Sequence, residues 1–346
     1  MTEFEPRENP VRVAVVGLGY WGPNLVRVLN GLPEADVACV CDKDSGAAAK
    51  TQRFGRFPVC SLDEILADSS IDAVAIATPV STHAELATAA LNAGKHVFVE
   101  KPLAASAREA LSLMELASSL GLVLMPGHTF LYSPPVNLAR ELIQGGELGD
   151  VYFVSMSRVN LGLHQRDVSV AWDLAPHDFS ILCHWLAEVP VRVSALSRSC
   201  IFEGTPDVAF INLQYPSGAI VHVELSWLAP SKLRRTAVVG SRKMLVYDDT
   251  SSEPVRVFDS GADIRDPETF GEYRLSYRTG AIVSPPVESS EPLELELADF
   301  CRCVRSGDTP RSNAELALDV VRMVEAVDRS LDEDGAFVGL EELARA

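Results

Sequence analysis

The segment Val11-Arg12-Val13-Ala14-Val15-Val16-Gly17-Leu18-Gly19-Tyr20-Trp21-Gly22 places three glycines in the spacing G-x-G-x-x-G directly after an apolar run. Such glycines permit a tight turn and let a pyrophosphate approach the free N–H groups at the start of the following helix. Because the run before them has the composition of a buried strand, the segment predicts the first strand, turn and helix of a dinucleotide-binding domain.

An acidic residue follows at a useful distance. Asp42 ends the next apolar run, 42 − 17 = 25 residues after the first glycine, and an acid near this spacing accepts a hydrogen bond from the ribose 2′-hydroxyl of NAD. The neighbouring Lys43 would instead meet the 2′-phosphate of NADP. Both cofactors remain open, with NAD slightly preferred, and a tight turn followed by a surface acid is the structural alternative.

The first 126 residues alternate apolar runs with amphipathic stretches, which predicts a parallel sheet with helices on both faces. Ser61 with Glu64, and Ser106 with Glu109, have the spacing of a capping box and mark two helix starts. The predicted strands are 11–16, 37–41, 73–77, 96–99 and 122–125.

The second part of the chain has longer runs in which apolar and polar residues alternate, as in an antiparallel sheet with unlike faces. The sequence therefore predicts an α/β fold: a Rossmann domain over residues 1–126 and an α+β domain over 127–346, built on a largely antiparallel open sheet. Residues 259–286 are rich in Gly, Pro and charge, and we expect a loop there. The predicted strands of this part are 151–159, 191–201, 208–215, 219–228, 236–239 and 244–247, with helices at 136–143, 295–304 and 314–331.

Charge and hydropathy exclude several classes of protein. The 346 residues include 30 Lys and Arg against 48 Asp and Glu, a net charge of −18 that repels nucleic acid and anionic lipid. No apolar run approaches the roughly 20 residues of a membrane helix, and the acidic N-terminus lacks the apolar stretch of a signal peptide. We expect a cytoplasmic protein that binds neither nucleic acid nor membranes.

The fourth strand candidate leads into Glu100-Lys101-Pro102. The carboxyl ends of strands in an open α/β sheet are where ligands bind. A lysine there can hydrogen-bond a substrate hydroxyl, and its charge favours the alkoxide that develops when the neighbouring carbon is oxidised. The alternative is an ordinary surface ion pair between Glu100 and Lys101.

A third informative stretch is Trp172-Asp173-Leu174-Ala175-Pro176-His177-Asp178. We expect a helix from about Asp173 to 187, with Pro176 in its first turn, so that Asp173 and His177 share one face. A histidine can take the proton of a sugar hydroxyl while a carboxylate orients it. The alternatives are a core histidine, or a metal held by Asp173, His177 and His184; we predict no metal.

In their order along the chain, the glycine motif, Ala77-Thr78-Pro79 with His83, Glu100-Lys101-Pro102 and the Asp173/His177 pair resemble the Gfo/Idh/MocA oxidoreductases. The resemblance implies that Lys101 and His177 are catalytic, with Asp173 contacting the substrate or the histidine. It also implies an open sheet that mediates oligomerisation, giving a homodimer or homotetramer. The implied cofactor-binding residues are Gly17, Gly19, Tyr20, Trp21, Gly22, Asp42, Lys43, Ala77, Thr78, His83, Glu100 and Lys101.

The sequence between Asp173 and His177 departs from many relatives, which carry glycine there. This variant, with Tyr20-Trp21-Gly22-Pro23-Asn24, resembles the branch that contains nucleotide-sugar 3-dehydrogenases and sugar 3-ketoreductases. A diphosphate needs cationic donors, and the basic cluster 231–235 would supply them unless it lies on an edge strand or at a subunit interface. The expected substrate residues are His128, Tyr132, Arg158, Asn160, Trp172, Asp173 and His177. For the first four of these, the alternative is a solvent-exposed face or a hydrogen bond within a loop.

These residues predict an NAD(P)-dependent oxidoreductase that transfers a hydride between nicotinamide C4 and a carbinol or keto carbon of a sugar, sugar derivative or nucleotide sugar. Two other classes remain open. One is a non-catalytic NAD(P)-binding sensor or scaffold, which has no need of Lys101 and His177. The other is a glycosidase or lyase that recycles its NAD and shows turnover without net reduced cofactor.

Overall fold

The computed structural model describes residues 10–44, 46–162, 168–264 and 275–340. Contacts divide these residues into two units. The first unit contains the residues up to Tyr132 together with Ser290–Val321, and the second contains Ser133–Ser289 with the residues from Arg322 onward.

The first unit is built on a parallel sheet, as the sequence predicts. In the described part of the chain this sheet has five strands in the order β2-β1-β3-β4-β5, and its paired strands are parallel. Its apolar strands are buried because helices connect them. The elements are β1 Val11–Val16, α1 Gly22–Gly31, β2 Ala35–Cys41, α2 Leu62–Ala67, β3 Ala73–Ile76, α3 His83–Asn92, β4 His96–Glu100, α4 Ala107–Leu120 and β5 Leu124–Gly127.

Local sequence sets two helix starts in this unit. The Ser61 hydroxyl accepts from the Glu64 N–H, while the Glu64 carboxylate accepts from the Ser61 N–H, so the capping box is complete. Ser106 likewise accepts from the Glu109 N–H, 3.2 Å away. Each cap satisfies a backbone donor that has no partner inside the helix, and both predicted helix starts are confirmed.

The second unit carries a mixed sheet that is mostly antiparallel. Its order is β13-β12-β11-β10-β6-β9-β8-β7-β14 among the described residues, and β6 pairs with β9 in parallel. The predicted fold class is therefore confirmed. The elements are α5 Pro134–Gln144, β6 Val151–Leu161, α6 Val170–Leu186, β7 Arg192–Arg198, β8 Val208–Gln214, β9 Ile220–Ser226, β10 Leu228–Gly240, β11 Met244–Asp248, β12 Val255–Ile264, β13 Leu275–Val283 and β14 Val338–Gly339.

The predicted loop over 259–286 is wrong for residues 259–264 and 275–283, which form strands. Strand β12 continues to Ile264, and β13 runs antiparallel to it, with Gly261 opposite Arg278. Glycines and charged residues in this region obscure the alternation of apolar and polar side chains that is typical of a strand. The strands are nevertheless held by backbone hydrogen bonds, which do not depend on side-chain polarity. Residues 265–274 lie outside the described residues.

Helix α6 begins earlier than expected. Ser169 caps it by accepting from the Trp172 N–H, 3.3 Å away, so the helix starts at Val170 and Pro176 lies inside it. The prediction that Pro176 occupies the first turn is wrong, because the serine cap, which satisfies a free N–H, lies seven residues before the proline. Asp173 and His177 remain one turn apart on this helix.

The chain returns to the first unit near its end. Helix α7, Pro292–Ser306, buries Leu297 and Phe300 in the same core as Val15 and Phe98. Helix α8, Ala314–Asp332, contributes residues to both units. Residues 290–321 thus belong to the first contact unit, although the predicted division places them in the second domain. No helix of the described residues is both long and apolar enough to span a membrane.

Candidate active site

Two glycines of the first loop are required by packing. Gly17 has φ +92°, and a Cβ built on it would lie 2.6 Å from the Ala77 carbonyl oxygen. A Cβ on Gly22 would overlap the Gly17 carbonyl oxygen. The loop is therefore pressed against the end of β3 and against itself, and neither position accepts a side chain.

The middle glycine has the opposite surroundings. A Cβ on Gly19 would meet no protein atom within 4 Å, so the loop is open on that side. The rings of Tyr20 and Trp21 are exposed beside it and meet edge to face, 5.6 Å apart. An open backbone next to the start of α1 is what a pyrophosphate requires, and these residues fit a dinucleotide.

Asp42 is joined directly to the glycine loop. Its carboxylate accepts from the Leu18 N–H at 2.6 Å and from the Asp44 N–H at 2.8 Å. Lys50, which the sequence analysis did not single out, donates to the Leu18 carbonyl at 2.9 Å. Asp42 therefore lies against the glycine loop, with Lys43 exposed beside it.

His83 connects two turns at the carboxyl edge of the sheet. Its ring nitrogens lie 2.9 Å from the carbonyl oxygens of Thr78 and Pro102, and burial lowers its pKa. A neutral ring donates its single N–H to one of these oxygens and lies against the other, so His83 connects the Thr78 turn with the turn after β4. His83, predicted to bind cofactor, shapes the edge on which the cofactor would lie.

Glu100 ends β4, and Lys101 follows it and is joined to Pro102 by a cis peptide bond. Glu100 is 8% exposed, so the surface-ion-pair alternative does not describe it. Burial raises the pKa of the Glu100 carboxyl to about 7, and the positive charge of Lys101 opposes that rise. The structure therefore places a buried acid and a partly exposed cation at the same edge as the glycine loop.

His128 and Tyr132 follow β5 in the same unit. His128 is buried, and burial together with the Lys101 charge lowers its pKa to about 3, so its ring is neutral. The Tyr132 hydroxyl donates to Asp299 at 2.6 Å and accepts from the Ser312 N–H at 3.2 Å. His128 thus lies near Lys101, whereas Tyr132 uses its hydroxyl to hold the returning chain rather than leaving it open to substrate.

Sequence reasoning missed Glu296, a buried acid on α7. Its Oε2 accepts from the Thr129 hydroxyl at 2.6 Å. The signal was available, since Glu296 falls on the apolar face formed by Leu293, Leu297 and Phe300, where an acid is out of place. Its partner could not be found this way, because the spacing of an amphipathic helix does not indicate what its face contacts.

In the second unit, Asp173 has a partner that the sequence analysis also missed. The indole N–H of Trp227 donates to Asp173 Oδ2 at 3.2 Å. Trp227 is seated closely enough that a Cβ on Gly162 would lie 2.5 Å from its ring. Asp173 is therefore oriented from the sheet, and His177 lies one turn farther along α6 with its Nδ1 buried.

Neighbouring side chains on α6 are engaged elsewhere. The Trp172 indole donates to Asp328 at 2.6 Å, so Trp172, predicted to contact substrate, holds α8. His184 lies 3.0 Å from the Asn137 side-chain oxygen on α5. Among the described residues no group of three or more His, Cys, Asp or Glu side chains is arranged to hold a metal ion.

Arg158 forms a buried fork with Asp178, the residue after His177. Its Nε lies 2.9 and 3.0 Å from the two carboxylate oxygens, and its Nη2 lies 2.8 Å from one of them. The predicted role for Arg158 was to line the sugar pocket, but its guanidinium is committed to α6. Asn160, two residues farther along β6, is partly exposed on the same face of the strand.

The basic cluster lies on β10. Arg234 pairs with Asp249, 3.2 Å away, while Lys232 and Arg235 are exposed. Arg234 and Arg235 point to opposite faces of the sheet because side chains alternate along a strand. The cluster is therefore divided between two faces rather than gathered on one.

The fold and the glycine loop define an oxidoreductase with an NAD-binding Rossmann domain. A model of the oxidoreductase family with that fold matches residues 11–128, and a model of the GFO/IDH/MocA C-terminal domain matches residues 136–246. The chain belongs to the GFO/IDH/MocA family.

The similar proteins are named for different activities. The chain is 28% identical to D-xylose 1-dehydrogenase (NADP(+)) 2 of Haloferax volcanii over 89% of this chain and 93% of the relative. It is 27% identical to 2,7-anhydro-N-acetylneuraminate hydratase of Escherichia coli (strain K12), over 62% of this chain and only 61% of that protein. Among solved structures, GenD2 from gentamicin A biosynthesis in complex with NAD has a TM-score of 0.80 at 26% identity, covering 98% of this chain and 99% of that chain.

Proposed function

We propose that the protein is an NAD(P)-dependent oxidoreductase that acts on a CH–OH group of a sugar, sugar derivative or nucleotide sugar. The observation that carries this proposal is Lys101 at the carboxyl end of β4, on the same edge of the parallel sheet as the open glycine loop and Asp42. Ligands bind at this edge of open α/β sheets.

The residues that would hold the cofactor belong to the first unit. The loop at Gly17–Gly22 would take the pyrophosphate, and Asp42 would accept from the adenosine ribose. When bound, the nicotinamide supplies the redox chemistry by exchanging a hydride with the reacting carbon. Asp42 favours NAD, because a carboxylate accepts from a hydroxyl and repels a phosphate, while the exposed Lys43 keeps NADP open.

The residues of this chain would handle the proton. His177 would take the proton of the reacting hydroxyl during oxidation and return it during reduction. Lys101 would donate to the same oxygen and stabilise its developing charge. Asp173, oriented by the Trp227 indole, would hold the substrate or stabilise the imidazolium. This mechanism requires Lys101 and His177 to act on the same carbon.

The names of the relatives support a sugar, since they include a xylose dehydrogenase and a protein of gentamicin biosynthesis. A nucleotide sugar would need donors for its diphosphate, and Lys232 is an exposed cation of β10. Free sugars and nucleotide sugars are therefore tested side by side.

The decisive experiment is a substrate screen. The purified protein is mixed with NAD or NADP and with free or nucleotide-linked sugars, and reduced cofactor is followed by absorbance. We expect reduced cofactor with at least one sugar class. Cofactor binding without turnover of any sugar would favour a sensor. Substrate turnover without net reduced cofactor would favour a cofactor-recycling lyase, an alternative suggested by the hydratase relative.

The roles of the catalytic residues are tested with His177→Ala. We expect turnover to fall by about 10² to 10⁴-fold, the usual contribution of a general acid or base, while cofactor affinity stays unchanged. His222→Ala is the matched control, because His222 is an exposed histidine on β9 of the same unit. Full turnover by His177→Ala would reject the assigned role.

A further inference from the structure

Two buried acids from distant parts of the chain meet the same short segment. Glu100 lies opposite Gly127 in the β4–β5 register, and a Cβ on Gly127 would lie 3.3 Å from Glu100 Oε2. Two residues later, Thr129 donates to Glu296. Glu296 is 0% exposed. The segment 127–129 thus gathers both acids at the carboxyl edge of the first sheet.

The surroundings of Glu296 favour its protonated form. Its Oε1 is buried and has no hydrogen-bond partner among the described residues, and an ionised carboxylate in that position would lose its solvation without compensation. Burial accordingly raises the Glu296 pKa well above its ordinary value, the Thr129 hydrogen bond opposes the rise, and the nearby Glu100 and Asp299 add to it.

Other ionisable groups facing the two acids do not supply a proton near neutrality. His128 and His83 have lowered pKa values because both are buried, with the Lys101 charge adding to the effect. The Tyr132 pKa is raised by burial and by Asp299. The pKa of Asp299 is lowered by its hydrogen bonds, which outweigh its burial. The charge of Lys101 acts on Glu100, and Asp299 is paired with Arg302 and accepts from the Arg311 backbone N–H.

Two carboxyl groups that influence each other titrate as a pair. We propose, on the basis of the function proposed above, that Glu100 and Glu296 hold one proton between them and that the oxidised cofactor releases it on binding, whereas the reduced cofactor does not. Oxidised nicotinamide is a cation and reduced nicotinamide is neutral. A cation at this edge stabilises a second carboxylate: the carboxyl O–H bond breaks, its electron pair stays on oxygen, and the proton leaves to solvent.

Linkage gives the sign of the effect. Because binding of the oxidised cofactor expels a proton, its affinity rises with pH, by at most about tenfold per pH unit for one whole proton. Burial raises the Glu100 pKa to about 7, so the effect falls near neutral pH, and we expect a gain of roughly threefold to tenfold between about pH 6 and about pH 8. The affinity of the reduced cofactor stays level over the same range.

The proton is counted by calorimetry. Full-length protein is titrated with NAD⁺ and with NADH, and in parallel with the NADP pair, in two buffers of different ionisation enthalpy near neutral pH. We expect release of a substantial fraction of one proton with the oxidised form and none with the reduced form. Because this count uses the unaltered protein, it does not depend on a variant folding.

Variants assign the proton to its source. In Glu296→Gln a neutral amide replaces the carboxyl. We expect this variant to bind the oxidised cofactor without releasing a proton and with an affinity that does not depend on pH. We expect Glu100→Gln to lose the proton release as well. Glu294→Gln is the matched control, since Glu294 is an exposed acid on the same helix, and it retains the release. Tight NAD⁺ binding with no proton released, or release retained in Glu296→Gln, overturns the inference. If neither NAD⁺, NADH nor the NADP pair binds, the proposed function itself is overturned.

Discussion

At the scale of single residues, neighbouring glycines of the first loop serve different purposes. Gly17 combines a positive φ with close contact to Ala77, whereas Gly19 faces open space. A side chain at Gly17 would strain the protein with or without cofactor. A side chain at Gly19 would meet no protein atom, and it would fill space that a bound cofactor would occupy.

Alanine substitution separates these purposes. We expect Gly17→Ala to lose about 1 to 3 kcal/mol of unfolding free energy, the usual cost of a strained backbone position. We expect Gly19→Ala to unfold at the wild-type urea concentration but to bind NAD(P) at least about tenfold more weakly, a loss of about 1.4 kcal/mol. Urea titration and cofactor fluorescence measure the two effects. Wild-type cofactor affinity in Gly19→Ala would show that the pyrophosphate does not lie against this glycine.

The polar partners at the residue scale were less accessible to sequence reasoning. Asp42 and Lys101 were identified because each directly follows an apolar strand. Trp227 and Glu296 were missed, although an acid on an apolar helix face is a recognisable anomaly. Trp227 and Asp173 are 54 residues apart, and no local sequence pattern predicts a hydrogen bond between them.

At the scale of elements, α6 is fixed by side chains around the residues assigned to catalysis. Trp172 donates to Asp328, Asp173 accepts from Trp227, and Asp178 is paired with Arg158. These contacts reach α8, strand β6 and Trp227, the residue between β9 and β10. The orientation of His177 within the second unit therefore depends on contacts made by its neighbours along the helix.

The Arg158–Asp178 pair provides a test of this anchoring. In Arg158→Met the Asp178 carboxylate is left buried without its cation, and we expect a loss of about 3 to 5 kcal/mol of unfolding free energy. In the double variant Arg158→Met/Asp178→Leu no charge is stranded, and most of that loss should be recovered. Urea unfolding of both single variants and the double variant completes the cycle. A double variant as unstable as Arg158→Met would mean that packing, rather than charge pairing, governs the site.

At the scale of the whole molecule, the first unit is completed by a segment that lies far along the chain. Helix α7 places Phe300 against Phe98, with ring centroids 5.8 Å apart, and Thr129 and Tyr132 are hydrogen-bonded to acids on the same helix. The functional division at residue 126 and the expected homo-oligomer stay predictions. The assignment of 290–321 to the first contact unit is a finding of the tertiary structure.

Phe300→Ala tests how much the returning helix stabilises the first unit. Phe300 is fully buried, so we expect a loss of about 3 to 5 kcal/mol from lost burial and the cavity left behind. Leu295→Ala is the control, because Leu295 is an exposed apolar residue on the same helix and should change stability by less than about 0.5 kcal/mol. Urea unfolding measures both. Equal stability of the two variants would contradict the role of α7 as part of this core.

The features that could be predicted from sequence depend on near neighbours. The glycine turn, the caps at Ser61 and Ser106 and the one-turn spacing of Asp173 and His177 follow from backbone geometry within a few residues. The contacts of Glu296 with Thr129, 167 residues away, and of Arg158 with Asp178 were decided by tertiary packing. Burial removes water from these groups and obliges each to find a partner, and which partner it finds depends on how the helices and strands come together.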